Sequence, residues 1–376
     1  MKKFTMVNVN NLELGEIVAK DIFVNTRYPI VAKNTPISSE HLQVFKAFNI
    51  KEIPVLVESI EKTASNKSNK EDVKSENEIV ATVENEKVTT NDSFEKEYLE
   101  KVEIFKAEFK NWEAGKNIEI IKIREIISPL IKLVLEDRSF LFDLNHYSNP
   151  IEYIYHHCIS TGLIAATLAN KMGFDRGNTL QIGIAGVLAD CGMAKVPIMI
   201  RNKKAPLTAE DVNEIRKHPI YSYNMVKELS QLKNEMKIAI LQHHERLDGS
   251  GYPIGLKMER ISHLGQIIAV ADTFHAMTCD RLYRPKESLF KVIEMIKDSE
   301  FGKFDIQVVN TLTNLVAELP IGTKVELSNS EKAEIIFINQ LHPTHLLVKL
   351  LNNGEIIDLS KETSLTISRV LPKNSD

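Results

Sequence analysis

The sequence predicts a multidomain protein with a central all-α domain, a small N-terminal α+β module and a small C-terminal β module. Apolar residues follow a helical period across 93–319, and strand patterns are nearly absent there. Residues 61–92 contain no aromatic residue, leucine or methionine. From residue 320 onward the apolar residues fall in short runs of strand length. A chain of 376 residues is long enough for several domains.

The N-terminal module is predicted at residues 1–60. Short extended runs surround one helical pattern, SSEHLQVFKAFNI, which begins at a Ser38 N-cap and carries Glu40 in its first turn. The next segment, 61–92, is dense in lysine, glutamate, asparagine and serine. Because this segment cannot bury enough apolar surface to offset its ordering entropy, we expect a disordered linker.

The helical domain, 93–319, opens with an apolar stripe at helical spacing, formed by Phe94, Tyr98, Val102, Phe105, Phe109 and Trp112. We expect this face to pack within its own domain, with a homodimer as the alternative. The C-terminal β module, 320–376, is predicted from the runs KVELSN, AEIIFINQ, HLLVKLL and EIIDL. A hairpin turn at Asn352-Asn353-Gly354 joins the last two runs.

Composition excludes several classes of partner. A formal net charge of -4 gives no general attraction to nucleic acid or to an anionic membrane. No apolar run is long enough to span a bilayer, and no apolar segment of a secretory signal follows the first lysines. The three cysteines are far apart, without CxxC spacing. We therefore expect a reduced, cytoplasmic protein that inserts into no membrane.

Histidines concentrate in the helical domain, where seven of the eleven fall between residues 156 and 275. A single histidine at a helix end is usually a hydrogen-bonded core residue or a cation on the helix dipole. Asp190 and Asp272, however, each close an apolar run, and a buried carboxylate needs a cation or several donors. Histidine with aspartate is the usual ligand set of a hydrolytic transition metal, and bridging carboxylates suit a two-metal phosphoester site.

The stretch HHERLDGSGYP, 243–253, is the most informative one. His243 and His244 point about 100° apart on a helix, so both serve one site only where the helix ends. The turn that begins at Asp248 provides that end, and Tyr252 adds an aromatic face to it. A purely structural turn explains the glycines but leaves the doubled histidine unexplained.

This stretch resembles the signature of the HD-GYP family, bacterial metal-dependent phosphodiesterases that hydrolyse cyclic di-GMP. Four further segments are similar to family motifs in the family's order: YIYHHCIS, VLADCGMAKVP, KHPIYSYNMV and AVADTFHAMTCDRLYR. The terminal modules look like accessory pieces of Gram-positive members. The resemblance implies a helical HD-GYP fold, cyclic di-GMP or a related nucleotide as the ligand, and one or two divalent ions, iron or manganese.

The resemblance also implies roles for individual residues. The implied metal ligands are the imidazoles and carboxylates of His157, Asp190, His218, His243, His244 and Asp272. Asp190, the implied catalytic residue, bridges two metal positions; the histidines from 218 to 244 complete one of them, and His157 with Asp272 completes the other. The implied substrate-binding residues are Arg281, Arg284, Tyr252, Gly251 and Asp248.

Two of these substrate contacts have alternatives. Arg281 and Arg284 lie three residues apart on one predicted helix face, where they hold substrate phosphates or are solvated surface arginines. Tyr252 either stacks on a guanine or anchors its own loop.

The chain departs from the family's His-Asp-x-Gly-Lys segment, because Ala189 stands at the histidine and Met193 at the lysine. The missing histidine is a ligand of the metal position that His157 and Asp272 share. Three protein ligands with water still make a viable open site. The missing lysine helps to hold the substrate phosphate, and losing one such group typically costs about 10²–10³ in rate.

Neighbouring residues are not expected to replace the missing groups. Cys191 is predicted to be a buried core thiol, and Lys195 to face in another direction. Tyr153 stands where trinuclear members of the family carry a glutamate, so a third ion is not expected.

Three functions remain open at this point. The first is a working phosphodiesterase that converts cyclic di-GMP to pGpG or GMP. The second is a catalytically impaired HD-GYP protein that binds cyclic di-GMP or metal and signals to protein partners through its terminal modules. A phosphohydrolase acting on another nucleotide is a third alternative, since the wider HD superfamily is chemically broad.

Overall fold

The computed structural model describes residues 4–23, 31, 33–37, 41–42, 45, 50–56, 91–280, 287–298, 302–339, 346–362 and 364–371. The chain divides into two compact units, Met1–Val88 and Thr89–Asp376. Three sets of sequence predictions lie outside the described residues: Ser38 and Glu40 of the first predicted helix, nearly all of the predicted linker, and the pair Arg281 and Arg284.

The first unit contains a two-stranded antiparallel sheet. Strand β1, Phe4–Asn8, pairs with β2, Glu52–Leu56, and a short 3-10 helix, Val9–Asn11, follows β1. Residues 41–42 and 45 are helical, inside the predicted helix. Apolar side chains from the sheet, the 3-10 helix and the helical residues pack together in one small core around the fully buried Phe45. A strand-containing N-terminal region is therefore present, as predicted.

The second unit is mainly helical. Its α-helices in the described residues are α1 Asn91–Glu113, α2 Ile120–Glu136, α3 Leu144–Tyr147, α4 Tyr153–Lys171, α5 Arg176–Leu188, α6 Ile198–Arg201, α7 Ala209–Ile215, α8 His218–Val226, α9 Asn234–Gln242, α10 His263–Thr278, α11 Leu289–Asp298 and α12 Ile306–Ala317. Short 3-10 helices lie at Arg138–Phe142, Cys191–Lys195 and Met258–Arg260. Among these described helices, none is long and apolar enough to cross a membrane.

The predicted apolar stripe of α1 lies in the core of the second unit. All six of its members are buried, and the ring of Phe94 stacks on that of Phe140 with centroids 4.3 Å apart. The stripe is therefore covered by the chain itself, as predicted.

Helices α4 and α5 approach each other closely at two glycines. A Cβ on Gly186 would lie 2.8 Å from the Cα of Gly162, which leaves no space for a side chain at that crossing. The close packing fixes the spacing between α4, which carries His157, and the end of α5, which directly precedes Ala189 and Asp190.

A five-stranded antiparallel sheet follows the helices. Its strands are β3 Lys324–Leu327, β4 Lys332–Ile338, β5 Leu346–Leu350, β6 Ile356–Asp358 and β7 Ile367–Val370, in the order β6-β5-β4-β3-β7. The β5–β6 hairpin turns at the predicted Asn352-Asn353-Gly354, where Gly354 adopts a φ of 74°. Four of the five C-terminal strands are thus where the sequence predicts them, and β7 is an edge strand that the sequence analysis did not identify.

Candidate metal centre and substrate cavity

Asp190 lies in a tight turn between α5 and the 3-10 helix Cys191–Lys195. Helix α8 packs directly against this turn. The N–H of Gly192 donates to Ser222 Oγ at 2.8 Å, and Ser222 Oγ donates to the carbonyl of Ala189 at 2.6 Å. A Cβ at Gly192 would overlap the main-chain oxygen of His218. Glycine at this position therefore lets His218 reach the Asp190 carboxylate.

Asp190 and three histidines form the first ligand cluster. One potential ligand atom from each of Asp190, His218, His243 and His244 lies within 4.8 Å of all the others. Asp190 Oδ1 is 2.9 Å from His218 Nε2 and 3.4 Å from His243 Nε2. Helix α9 ends at Gln242, directly before the paired histidines. The predicted helix end is thus what brings His243 and His244 to one site.

The orientation of two imidazoles fits a bound cation. The Nδ1 atoms of His218 and His243 lie 2.8 and 2.6 Å from the carbonyl oxygens of Ile215 and Ile240, so each Nδ1 must carry the hydrogen. In the neutral rings, both Nε2 atoms then present lone pairs, and they face each other at 3.3 Å beside Asp190 Oδ1. That oxygen is buried without a well-formed hydrogen bond. Lone pairs gathered in this way suit a metal ion, whose imidazole ligands usually donate their other N–H to the protein.

His157, Asp190 and Asp272 form the second ligand cluster, with ligand atoms again within 4.8 Å of one another. His157 Nε2 is 2.8 Å from Asp272 Oδ1 and 3.4 Å from Asp190 Oδ2. The two oxygens of Asp190 thus face different clusters. Burial alone would lower the pKa of His157, but hydrogen bonds to Asp190 and Asp272 and their charges raise it to about 9.

Neighbouring groups also shift the pKa values of the other buried residues in the two clusters. Burial opposes ionisation of Asp190, yet the surrounding imidazoles of His218, His157 and His243 hold its pKa well below the usual range. The pKa of Asp272 is lowered against burial by His244 and His157. Burial and the neighbouring His243 keep the pKa of His244 far below its usual value. The clusters therefore offer carboxylates and at least one unprotonated imidazole to a cation.

Both clusters open on a cavity of about 330 Å³, a size typical of small-ligand pockets. Five of the six proposed ligands lie in its wall, the exception being His243. The rest of the wall is largely apolar and includes Ile151, Ile154, Ile200, Leu207, Ile215 and Tyr252. A ligand in this cavity would contact a hydrophobic surface and the proposed metal positions at the same time.

Residues 134–308 match a protein-family model described as HD domain. The chain is 33% identical over 215 residues to the cyclic di-GMP phosphodiesterase PdeB of Borreliella burgdorferi, covering 56% of each chain. It is 29% identical to the cyclic di-GMP phosphodiesterase PA4108 of Pseudomonas aeruginosa, over 61% of this chain and 55% of that one. Residues 134–308 are therefore an HD domain, and the relatives named cyclic di-GMP phosphodiesterase support the resemblance to the HD-GYP family. The resemblance is confirmed.

Two further matches have lower sequence identity to this chain. The 3'3'-cGAMP-specific phosphodiesterase 3 of Vibrio cholerae is 26% identical, over 45% of this chain and 36% of that one. The solved structure of Bd1817, an HDG"Y"P protein from Bdellovibrio bacteriovorus, matches with a TM-score of 0.50 and 16% identity. It covers 82% of this chain and 98% of that one, and this likeness supports the fold alone. The chain spans about half the length of the curated phosphodiesterases PdeB and PA4108.

Glu245 is a residue of the HD-GYP signature whose role the sequence did not reveal. Its side chain is fully buried, and its carboxylate accepts hydrogen bonds from the main-chain N–H groups of Ile254, Gly255 and Leu256 at 2.8–3.2 Å. These bonds hold the loop that follows the paired histidines. The position of Glu245, directly after His243 and His244, was the only signal available in the sequence.

This loop, which Glu245 holds in place, puts Tyr252 against the first cluster. Its ring stacks on that of His244 with centroids 4.6 Å apart, and it lines the cavity. Asp248 and Gly251 lie elsewhere on the loop. Asp248 accepts hydrogen bonds from the N–H and hydroxyl of Ser250, and a Cβ at Gly251 would overlap the main chain of His244. Neither residue belongs to the described cavity wall, so their contact with substrate stays a prediction.

The two positions that depart from the family motif behave differently. Met193 lines the cavity, whereas Ala189 is buried and does not belong to the described cavity wall. Lys195 faces away, as predicted, since its Nζ donates to the carbonyl of Trp112 at 2.8 Å. Cys191 is the predicted buried thiol, with Sγ 3.9 Å from the Ser222 carbonyl. No described cationic side chain of this segment thus takes the place of the missing lysine.

His275 is a second residue that the sequence did not single out. Its Nδ1 lies 2.9 Å from His157 Nδ1, on the side of that ring opposite to the carboxylates. The spacing of three residues from Asp272 on α10, which puts both on one helix face, was the available signal.

Proposed function

We propose that this HD-GYP domain is a metal-dependent phosphodiesterase that hydrolyses cyclic di-GMP to pGpG or GMP. The observation that carries the proposal is the pair of ligand clusters that share Asp190 and open on one cavity. Relatives with 29–33% identity carry the name cyclic di-GMP phosphodiesterase, which supports the same substrate.

The chain would hold two divalent ions, iron or manganese, with imidazole and carboxylate ligands. His218, His243 and His244 are the proposed ligands of one ion, and His157 with Asp272 those of the other. Asp190 bridges the two positions. When bound, such ions supply Lewis-acid stabilisation of phosphate charge and an acidified water for attack on phosphorus.

The remaining residues would bind and orient the nucleotide. The Tyr252 ring and the apolar wall of the cavity offer a surface for a guanine base. The Tyr252 ring also anchors its loop on His244, so the two alternatives for this residue are compatible. Arg281 and Arg284 are proposed to hold the phosphates through bidentate contacts.

The second candidate function is binding of cyclic di-GMP without turnover. Ala189 and Met193 favour it, because the second cluster lacks the ligand that a histidine would add and the cavity lacks the cation of a lysine, which would stabilise charge in the transition state. Under this alternative, the same clusters and cavity serve a signalling protein rather than an enzyme.

The experiment compares the wild-type full chain with the double variant Ala189→His/Met193→Lys. Metal content, cyclic di-GMP affinity and turnover are measured after loading with Mn²⁺ or Fe²⁺, with Asp190→Asn as the control for contaminating hydrolase. We expect the wild type to turn over cyclic di-GMP and the double variant to be about 10²–10³ faster.

Each other outcome decides between the candidates. Tight binding without turnover by the wild type, with activity in the double variant alone, rejects the enzyme and supports the signalling protein. A wild type that neither binds nor hydrolyses cyclic di-GMP rejects both functions.

A further inference from the structure

His275 lies between the second ligand cluster and a buried cysteine. Its side chain is only 1% exposed and belongs to α10, one turn after Asp272. Its Nδ1 is 2.9 Å from His157 Nδ1, and its Nε2 is 3.3 Å from the sulfur of Cys279. The three side chains form a continuous chain of polar contacts that ends at the proposed metal ligand.

Two nitrogen atoms 2.9 Å apart share one hydrogen, so the contact between the two rings has a direction. If His157 Nδ1 carries the hydrogen, His275 Nδ1 accepts it, and His275 Nε2–H donates to the Cys279 sulfur. In the opposite direction His275 donates, and a neutral His157 must carry its hydrogen on Nε2. Only the first direction leaves a lone pair on His157 Nε2, the atom that faces Asp272 and Asp190.

We propose that His275 is a positioning residue for the second metal position, which fixes the ring orientation and the metal-binding tautomer of His157. The proposal deepens the proposed function, because it rests on His157 being a metal ligand. His275 itself touches neither ion nor substrate; it acts through the His157 ring.

The acceptor that His275 provides differs in kind from those on the other side of Asp190, and none of the three is a carboxylate. His218 and His243 each donate to a main-chain carbonyl, whereas Nδ1 of His157 faces a ring nitrogen of His275. A strong acceptor raises the basicity of a ligating imidazole. An acceptor of greater negative charge at position 275 should therefore tighten the second metal position and leave the first unchanged.

The test uses three variants of the full chain and Mn²⁺ as the probe. His275→Leu fills similar space without an acceptor, His275→Asn puts an amide oxygen close to the place of Nδ1, and His275→Asp puts a carboxylate there. His263→Asn, an exposed substitution at the start of the same helix, is the control. Calorimetric titration of metal-stripped protein resolves the two binding events, and thermal unfolding checks the fold.

We expect His275→Leu to weaken only the weaker event, by about 10–100-fold. The Asn variant should stay within about threefold of the wild type, and the Asp variant should bind about tenfold tighter at the same event. Equal weakening of both events in the Leu variant, or none, overturns the positioning role. If the Leu variant does not fold, an Asp variant that binds no tighter than the Asn variant overturns it instead.

Different results would reject the proposed function and the role of His275. A folded wild type that binds no Mn²⁺ rejects the metal site itself. A wild type with two binding events that are both insensitive to residue 275 keeps the metal site and rejects only the role of His275.

Discussion

The two ligand clusters share Asp190 but are built differently around it. On one side, His218 and His243 are oriented by carbonyl oxygens three residues earlier in the chain, so local helix-end geometry sets both rings. On the other side, His157 on α4 meets Asp272 and His275 on α10, and the arrangement depends on how two distant helices pack. Ring orientation is thus set locally in one cluster and by tertiary packing in the other, while both clusters need distant segments to meet at Asp190.

The two clusters also differ in the number and the charge of their ligands. The locally fixed cluster offers three imidazoles and one carboxylate oxygen, whereas the tertiary cluster offers one imidazole and two carboxylates. The family resemblance implies that Ala189 replaces a ligand of the second cluster only. We therefore expect the ion at the first cluster to bind more tightly, and each prediction below changes one side of this comparison or both.

The largest effect is expected from Asp190→Asn, which affects both clusters at once. An amide cannot supply two anionic oxygens, so Mn²⁺ affinity at both positions should fall by more than about 100-fold. Metal analysis after gel filtration measures the loss, with the exposed Asp298→Asn on α11 as the control. Retention of one tightly bound ion in Asp190→Asn would show that the first cluster does not depend on the shared carboxylate.

A smaller effect, confined to the tertiary cluster, is a dependence of its affinity on pH. In the metal-free protein the pKa of His157 is about 9, so an ion that binds its Nε2 below that pH displaces one proton. The apparent Mn²⁺ affinity of this position should rise about tenfold per pH unit from pH ~6.5 to ~8.5 and level off above ~9. Calorimetry in buffers of different ionisation enthalpy counts the protons released, and a count of zero contradicts the assignment.

The raised pKa of His157 also makes the stability of the metal-free fold depend on pH. Since the pKa of folded His157 lies above its ordinary value of 6.5, the protonated ring stabilises the metal-free fold fully below about that pH. The contribution is lost as the pH rises through about 9. Bound metal should therefore increase thermal stability most at alkaline pH.

The features that the sequence predicted correctly are those fixed by residues close together in the chain. The helical stripe from Phe94 to Trp112, the helix end before His243 and the hairpin at Gly354 all follow from residues close together in the chain. These features depend on periodicity and turn chemistry, which a single sequence displays directly. Asp190 also stood out, because a carboxylate that closes an apolar run needs an explanation.

The features that the sequence did not reveal depend on contacts between distant segments. Glu245 reads as an ordinary charged residue until its three main-chain partners at 254–256 are known. His275 looks like a core histidine until α4 brings His157 against it. Neither contact has a periodic signature, since it arises from the packing of helices and the return of a loop.

The smallest expected effect tests whether the tertiary cluster recruits a fourth ligand in place of the missing histidine. Cys191 is adjacent to Asp190 in sequence, but its sulfur packs beside the Ser222 carbonyl, and burial raises its pKa to about 12. A thiol that stays protonated is a poor metal ligand. Cys191→Ala should therefore leave Mn²⁺ and Zn²⁺ affinity within about twofold of the wild type, while the small cavity costs about 1 kcal/mol of stability. A selective loss of Zn²⁺ at the weaker position would instead make Cys191 a ligand, and the three-ligand description of that cluster would be wrong.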